Sequence, residues 1–136
     1  MANASDYLEQ QIYNHLFRND TFLKPSGLAI ALCKDYPTDS SYTELDAVDY
    51  VRQSTYSSGD SKWDAMAVAG SGFNTAEIAW SAATSDWGYA SGVVFLDDPR
   101  IGAGNMLLRG NLTTPKNITN GDTFKFSALD VSITIG

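Results

Sequence analysis

The 136-residue sequence predicts an all-β domain, β-sandwich or jelly-roll-like, preceded by a short N-terminal α-helix. Strand-like runs, roughly seven or eight of them, recur at intervals of about ten residues with Gly, Pro, Asn and Asp between them, which is the spacing of sandwiches and barrels rather than of alternating βα units. Three such runs, 90–97, 105–112 and 124–135, fill the last third of the chain. The one stretch with helical periodicity lies at the start, and a hydrophobic content of 43% suffices for the core of a single domain over 1–136.

Asn3 or Ser5 caps the helix, Asp6 and Glu9 stand near its positive end, and Leu8, Ile12 and Leu16 recur every four residues with Tyr13 and Phe17 widening the stripe. The helix is expected over about 5–18, because Asn19-Asp20 breaks it and Lys24-Pro25-Ser26-Gly27 is a turn. So short a helix is marginal alone, and its stripe is expected to lie on a sheet or on another subunit.

Residues 27–34 place Leu28, Ile30 and Leu32 on one face and Ala29, Ala31 and Cys33 on the other. Both faces are apolar, which predicts a central strand. After a loop at Pro37-Thr38-Asp39-Ser40-Ser41, residues 50–56 alternate again. A turn at 57–60 leads to a strand over 62–69 around Trp63 and Met66, and 74–80 reads as a half-exposed strand with Ala76, Ile78 and Trp80 on its inner face. Residues 81–86 are a loop. Near the end Asn120-Gly121-Asp122 makes a tight turn, and Leu129, Val131, Ile133 and Ile135 alternate with Asp130, Ser132 and Thr134, so the last strand requires one buried face.

Charge narrows the partners. With 9 Lys and Arg against 16 Asp and Glu the net charge is -7, which opposes binding to nucleic acid or to an anionic membrane and suits a basic partner surface. The single Cys33 has no intramolecular mate, as expected of a protein made in a reducing cytosol. Residues 1–5 show no basic flank followed by an apolar run, and no segment reaches the roughly 20 apolar residues that span a bilayer, so a soluble protein is expected. The four glycosylation patterns at Asn3, Asn19, Asn111 and Asn117 are read as a consequence of a chain rich in Asn, Ser and Thr.

Catalytic, cofactor and metal sites are not expected. His15 is the one His, so neither a zinc site nor a Ser-His-Asp triad finds its members. Asp97-Asp98, even joined by Asp35 or Asp39, lacks a twelve-residue calcium loop and reads as the solvated end of a strand. Gly102-Ala103-Gly104-Asn105 lacks the third Gly and the helix of a phosphate loop, and is a turn. Of the three tryptophans, Trp80 belongs to a core face and Trp63 sits among small residues, whereas Trp87, between Asp86 and Gly88, is the one expected to be available for stacking on a sugar.

Five motifs in order carry a family resemblance over nearly the whole chain. Leu32 with Tyr36-Pro37-Thr38-Asp39, then Tyr50-Val51-Arg52-Gln53, Asp86-Trp87-Gly88, Leu108-Arg109-Gly110-Asn111-Leu112-Thr113-Thr114-Pro115 and Gly121-Asp122-Thr123-Phe124-Lys125-Phe126 resemble a family of small tailed-phage virion proteins often labelled phage tail fiber protein. The resemblance implies a virion structural protein made in the cytoplasm of a host bacterium. A compact acidic module without heptads or repeats favours a capsid cement or decoration protein, with a tail fiber or baseplate component as the alternative and a glycan-binding module as a lesser one. The partners implied are the major capsid protein or tail proteins of the same virion, together with further copies of the chain, a trimer being favoured. Tyr7, Tyr13, Phe17 and Trp87 are the candidate interface residues, because aromatics concentrate binding energy at the centres of interfaces.

Overall fold

A computed structural model describes residues 2–57, 60–65 and 70–134. In chain order the elements are β1 (Ala2–Ala4), α1 (Asp6–Phe17), β2 (Leu28–Cys33), β3 (Gln53–Ser57), β4 (Asp60–Ser61), β5 (Ser71–Phe73), β6 (Ile78–Ala79), β7 (Gly88–Leu96), β8 (Met106–Ile118), β9 (Lys125–Phe126) and β10 (Ser132–Thr134). The fold is all-β with a short N-terminal helix. Eight strands form one sheet in the order β4-β3-β2-β7-β8-β1-β10-β5, and β6 pairs with β9 in a second, two-stranded sheet.

The large sheet curls until its two ends meet. Trp63, just beyond β4, bridges Asn74, just beyond β5, while Asp64 N donates to Phe73 O at 3.0 Å and Thr75 N to Lys62 O at 2.7 Å. Segment 62–64 therefore ties the β4 end of the sheet to the β5 end. The opposed walls expected of a sandwich are here opposite sides of one curled sheet.

β2 is central, between β3 and β7, as its two apolar faces require. Its Ile30 and Leu32 join Val93 and Phe95 of β7 and Leu108 of β8 in the main core. Ala31 and Cys33 face the other way with Val94, Leu96 and Met106, and Tyr42 packs over them. Coverage of the outer face is what permits near-continuous apolar runs in β2 and β7. Trp80, Phe124 and Phe126 meet edge to face, with ring centroids 5.2–6.1 Å apart, where the two-stranded sheet adds to the main core.

Several local expectations change under tertiary constraint. The cap at Ser5 forms, its Oγ accepting from Leu8 N at 3.2 Å, but residues 2–4 just before it are a strand lying between β8 and β10. The strand expected over 50–56 begins at Gln53, because Tyr50 and Arg52 are drawn into buried hydrogen bonds. Of 62–69, residues 62–65 contribute a single bridge, and 66–69 lie outside the described residues. The expected strand 74–80 shrinks to Ile78–Ala79, with Asn74 held in an isolated bridge to Trp63 while its side chain bonds the 127–131 turn. That turn also splits the strand expected over 124–135: Leu129 is exposed with φ 71, and Val131 alone of the pair is buried. β8 runs past the expected end at 112 to Ile118 by means of a bulge in which 112–115 oppose the single Ser91. Pro115, which has no N–H to donate, falls within that bulge.

Candidate assembly surface

The helix α1 is anchored at one end. Ser5 caps it and also donates through Oγ to Met106 O, Asp6 N donates to Asp39 O at 3.0 Å, and Tyr7 and Leu8 pack against the main core. Beyond that first turn the helix leaves the sheet. No residue of α1 is buried, and its apolar stripe faces outward: Tyr13 is 59% exposed, Leu16 67% and Phe17 73%, with Ile12 at the margin. The Tyr13 and Phe17 rings lie 5.1 Å apart and tilt against each other, as an i, i+4 pair on one face can. Leu23, in the segment that follows, is 78% exposed. His15 closes the helix locally, its Nδ1 accepting from Phe22 N at 3.2 Å.

Of the four residues expected at an interface, the structure brings together Tyr13 and Phe17 and puts Tyr7 at the base of the same helix. Trp87 is elsewhere. It is buried, 6% exposed, and meets Tyr50 edge-on at 5.5 Å, so the stacking face expected of it is already occupied. The reason is that Trp87 N donates to Ile118 O at the start of β7, which turns the ring inward. Trp80 is also core, its Nε1 donating to Val51 O at 2.9 Å, and Trp63 is half-buried on Phe95 with Nε1 on Thr55 Oγ1. The sequence left the stripe of Ile12 and Leu16 to a sheet or to another subunit, and the structure leaves both exposed on this chain; Leu23 was passed over. An exposed apolar stripe and a buried one share the same periodicity, so no local signal separated them.

The acidic and basic side chains with defined partners serve the scaffold. Arg52 is buried, and every donor that its guanidinium uses is matched: Nε and Nη2 hold the two Glu44 carboxylate oxygens at 2.9 and 2.8 Å, and Nη1 donates to Asp98 O and Ala103 O at 2.8 Å. Segment 42–45 is thereby clamped to the turn between β7 and β8. Within that turn the Arg100 side chain and backbone hold the Asp98 carboxyl down at about 2. Asp97 accepts from Asn105 N and Nδ2, so the two adjacent carboxylates act as turn anchors. Gly102 and Gly104, at φ 80 and 85, supply the left-handed backbone that the turn needs. The Cys33 thiol is pushed up to about 12, first by burial and then by Glu44 and Asp35, which leaves it protonated and unreactive. Among the described residues no three His, Cys, Asp or Glu are grouped as metal ligands, and no helix is long and apolar enough to cross a membrane.

What this arrangement offers chemically is contact. It presents an apolar helix face turned away from a curled sheet. Comparison with known proteins agrees with a chain built for assembly: residues 3–134 match the model of a family described as podophage GP4 fiber I protein gp80. No curated protein matches the chain.

Proposed function

Since this chain belongs to the podophage fiber I protein family and is thus a fiber-type structural protein of a phage virion, we propose that it is a tail-fiber building module docked to its virion partners through α1. The observation that carries this is the outward apolar face of Tyr13, Leu16 and Phe17 on a helix anchored to the domain at its first turn. An exposed apolar patch of several hundred Å² is often a functional contact site. The role is structural rather than catalytic, and the partners are tail proteins and further copies of the chain.

We prefer the fiber role to the head-surface cement role that acidity, compactness and the lack of repeats favoured, because the family description names a fiber and because acidity and compactness suit either location. Quantitative mass spectrometry of purified virions separates the two. A fiber module is expected at a few to tens of copies, far below the major shell protein. A ratio near one, or a simple fraction of it, would overturn the fiber role in favour of capsid cement.

A further inference from the structure

Asn120 and Gly121 form the one Asn-Gly pair in the chain, at the centre of the tight turn between β8 and β9. Asp122 N donates to Thr119 O at 2.9 Å across that turn, and Gly121 has φ 93 while Asn120 keeps a negative φ, so the turn is type II. Asparagine is among the chemically labile side chains, and a glycine after it, having no Cβ, hinders approach to the side-chain amide least. Asn120 is exposed, and nothing lies within 4 Å of where a Gly121 Cβ would stand, so solvent reaches the pair. The backbone, by contrast, is held on every side. Gly121 N donates to the oxygen of the buried Ala83 at 2.7 Å, and Ala83 N donates back to Asp122 O at 2.8 Å. Asn120 N donates to Asp86 Oδ1 at 2.9 Å, and the Asp122 carboxylate accepts from Thr119 N and Oγ1 at 2.9 Å.

We propose that Asn120 is a modification site, a deamidation that the folded turn holds in check. In the reaction Gly121 gives its N–H proton to solvent hydroxide and its nitrogen forms a bond to Asn120 Cγ. The Cγ–Nδ2 bond then breaks, and Nδ2 leaves as ammonia with a proton supplied by solvent. Water opens the resulting cyclic imide at either carbonyl, which gives aspartate or, where the chain comes to run through Cβ, isoaspartate. Water is consumed, ammonia is released, and no oxidant or reductant takes part. In the folded turn the first step meets two obstacles. The Gly121 proton is committed to Ala83 O, and closing the five-membered ring requires Gly121 N to eclipse Asn120 Cβ, whereas the type II arrangement turns that nitrogen away from Cβ. Rotating the peptide into place strands the buried Ala83 carbonyl without its donor. The Asp86 carboxylate adds to the block by holding Asn120 N and by setting negative charge beside an amide that must ionise. Once formed, isoaspartate lengthens the backbone through the turn, so the two bonds to Ala83 no longer fit together. The tie between residues 80–87 and 118–124, which Trp80 N on Phe124 O and Trp87 N on Ile118 O also serve, is then loosened from its turn end.

The full chain is incubated at mildly alkaline pH, folded in buffer and unfolded in guanidinium chloride, and conversion is followed by peptide mass spectrometry together with isoaspartyl methyltransferase labelling. The expected result is that Asn120 converts ahead of every other asparagine in the unfolded chain, and at least about tenfold more slowly in the folded one, the factor that goes with stranding a buried acceptor. Asp86→Ala, which frees Asn120 N at an exposed position, should convert several-fold faster than the unsubstituted chain while circular dichroism shows it folded. Asn120→Ser should abolish the isoaspartate signal from this turn. Equal rates in the folded and unfolded chains, another asparagine converting first, no isoaspartate at residue 120 in either state, or a folded Asp86→Ala chain no faster than the unsubstituted one would overturn the proposal. None of these outcomes bears on copy number in the virion, so the fiber reading stands or falls separately.

Discussion

Replacing Arg52 by Met should be among the most damaging single changes available in this domain. The guanidinium is fully buried and the Glu44 carboxylate is 10% exposed, so removing the cation leaves an unpaired charge in a nearly dry site. Loss of one partner of a buried ion pair costs about 3–5 kcal/mol. The carbonyls of Asp98 and Ala103 also lose their donor, but the turn that carries them is near solvent and recovers part of that loss through water. A net loss of about 4 kcal/mol follows, which for a domain of this size lowers the melting midpoint by roughly 12–20 °C. Urea unfolding followed by tryptophan fluorescence reads the loss directly, with Trp63, Trp80 and Trp87 as probes of the core. Glu44→Gln in the Arg52→Met background removes the stranded charge and should recover about 1–2 kcal/mol. An Arg52→Met variant within about 1 kcal/mol of the unsubstituted protein, or a double variant no more stable than the single, would refute the argument that the clamp is a buried charge pair.

Asn74→Ala should cost about 3 kcal/mol or more in the same assay, because the buried side chain satisfies Ala76 O, Ser127 O and Val131 N at 2.9–3.0 Å, and all three would lose a partner. Gly92→Ala should destabilise by about 1–3 kcal/mol, since the added methyl would overlap Pro37 Cδ and crowd Asp35 O and Gly110 O, and its melting midpoint should fall accordingly. Stability should hold from neutral pH down to about 4 and then decline toward 2. The carboxyls of Asp98, held by Arg100, of Asp46, held by Lys34, and of Asp122, held by Thr119, all lie below the ordinary 3.8 in the folded state. Groups with depressed folded values stabilise above their unfolded value and lose that contribution as they protonate. An acid titration by circular dichroism that shows stability rising between pH 4 and 2 would contradict this sign.

The sequence by itself determined the elements whose pattern is local. Alternation with both faces apolar marked Leu28–Cys33 as a central strand, runs of Val, Leu and Phe bounded by Gly and Asp marked β7 and the first half of β8, and Ser5 ahead of Asp6 and Glu9 marked the helix start. Four of the five motifs that carried the family resemblance lie partly in the large sheet or its bordering turns. Half of the candidate assembly surface was legible too, as Tyr13 and Phe17 on one helical face.

Tertiary structure decided the rest, because the deciding partners lie far along the chain. Ser5 bonds a carbonyl 101 positions away and Asn74 one 53 positions away, and no window of neighbouring residues contains such a partner. Such distant partners set the strand at residues 2–4 and the shortening of 74–80, and pairing of 62–64 with 73–75 closed the curl. Arg52 read as one polar side of an alternating strand until Glu44 and the β7–β8 turn enclosed it. Trp87 looked like a loop residue until pairing at Ile118 turned it inward. Whether the apolar stripe of α1 faces a core or faces water depends on where the helix axis leaves the sheet, and periodicity is blind to direction: the same spacing of Leu8, Ile12 and Leu16 serves partial burial at its first member and exposure at its last.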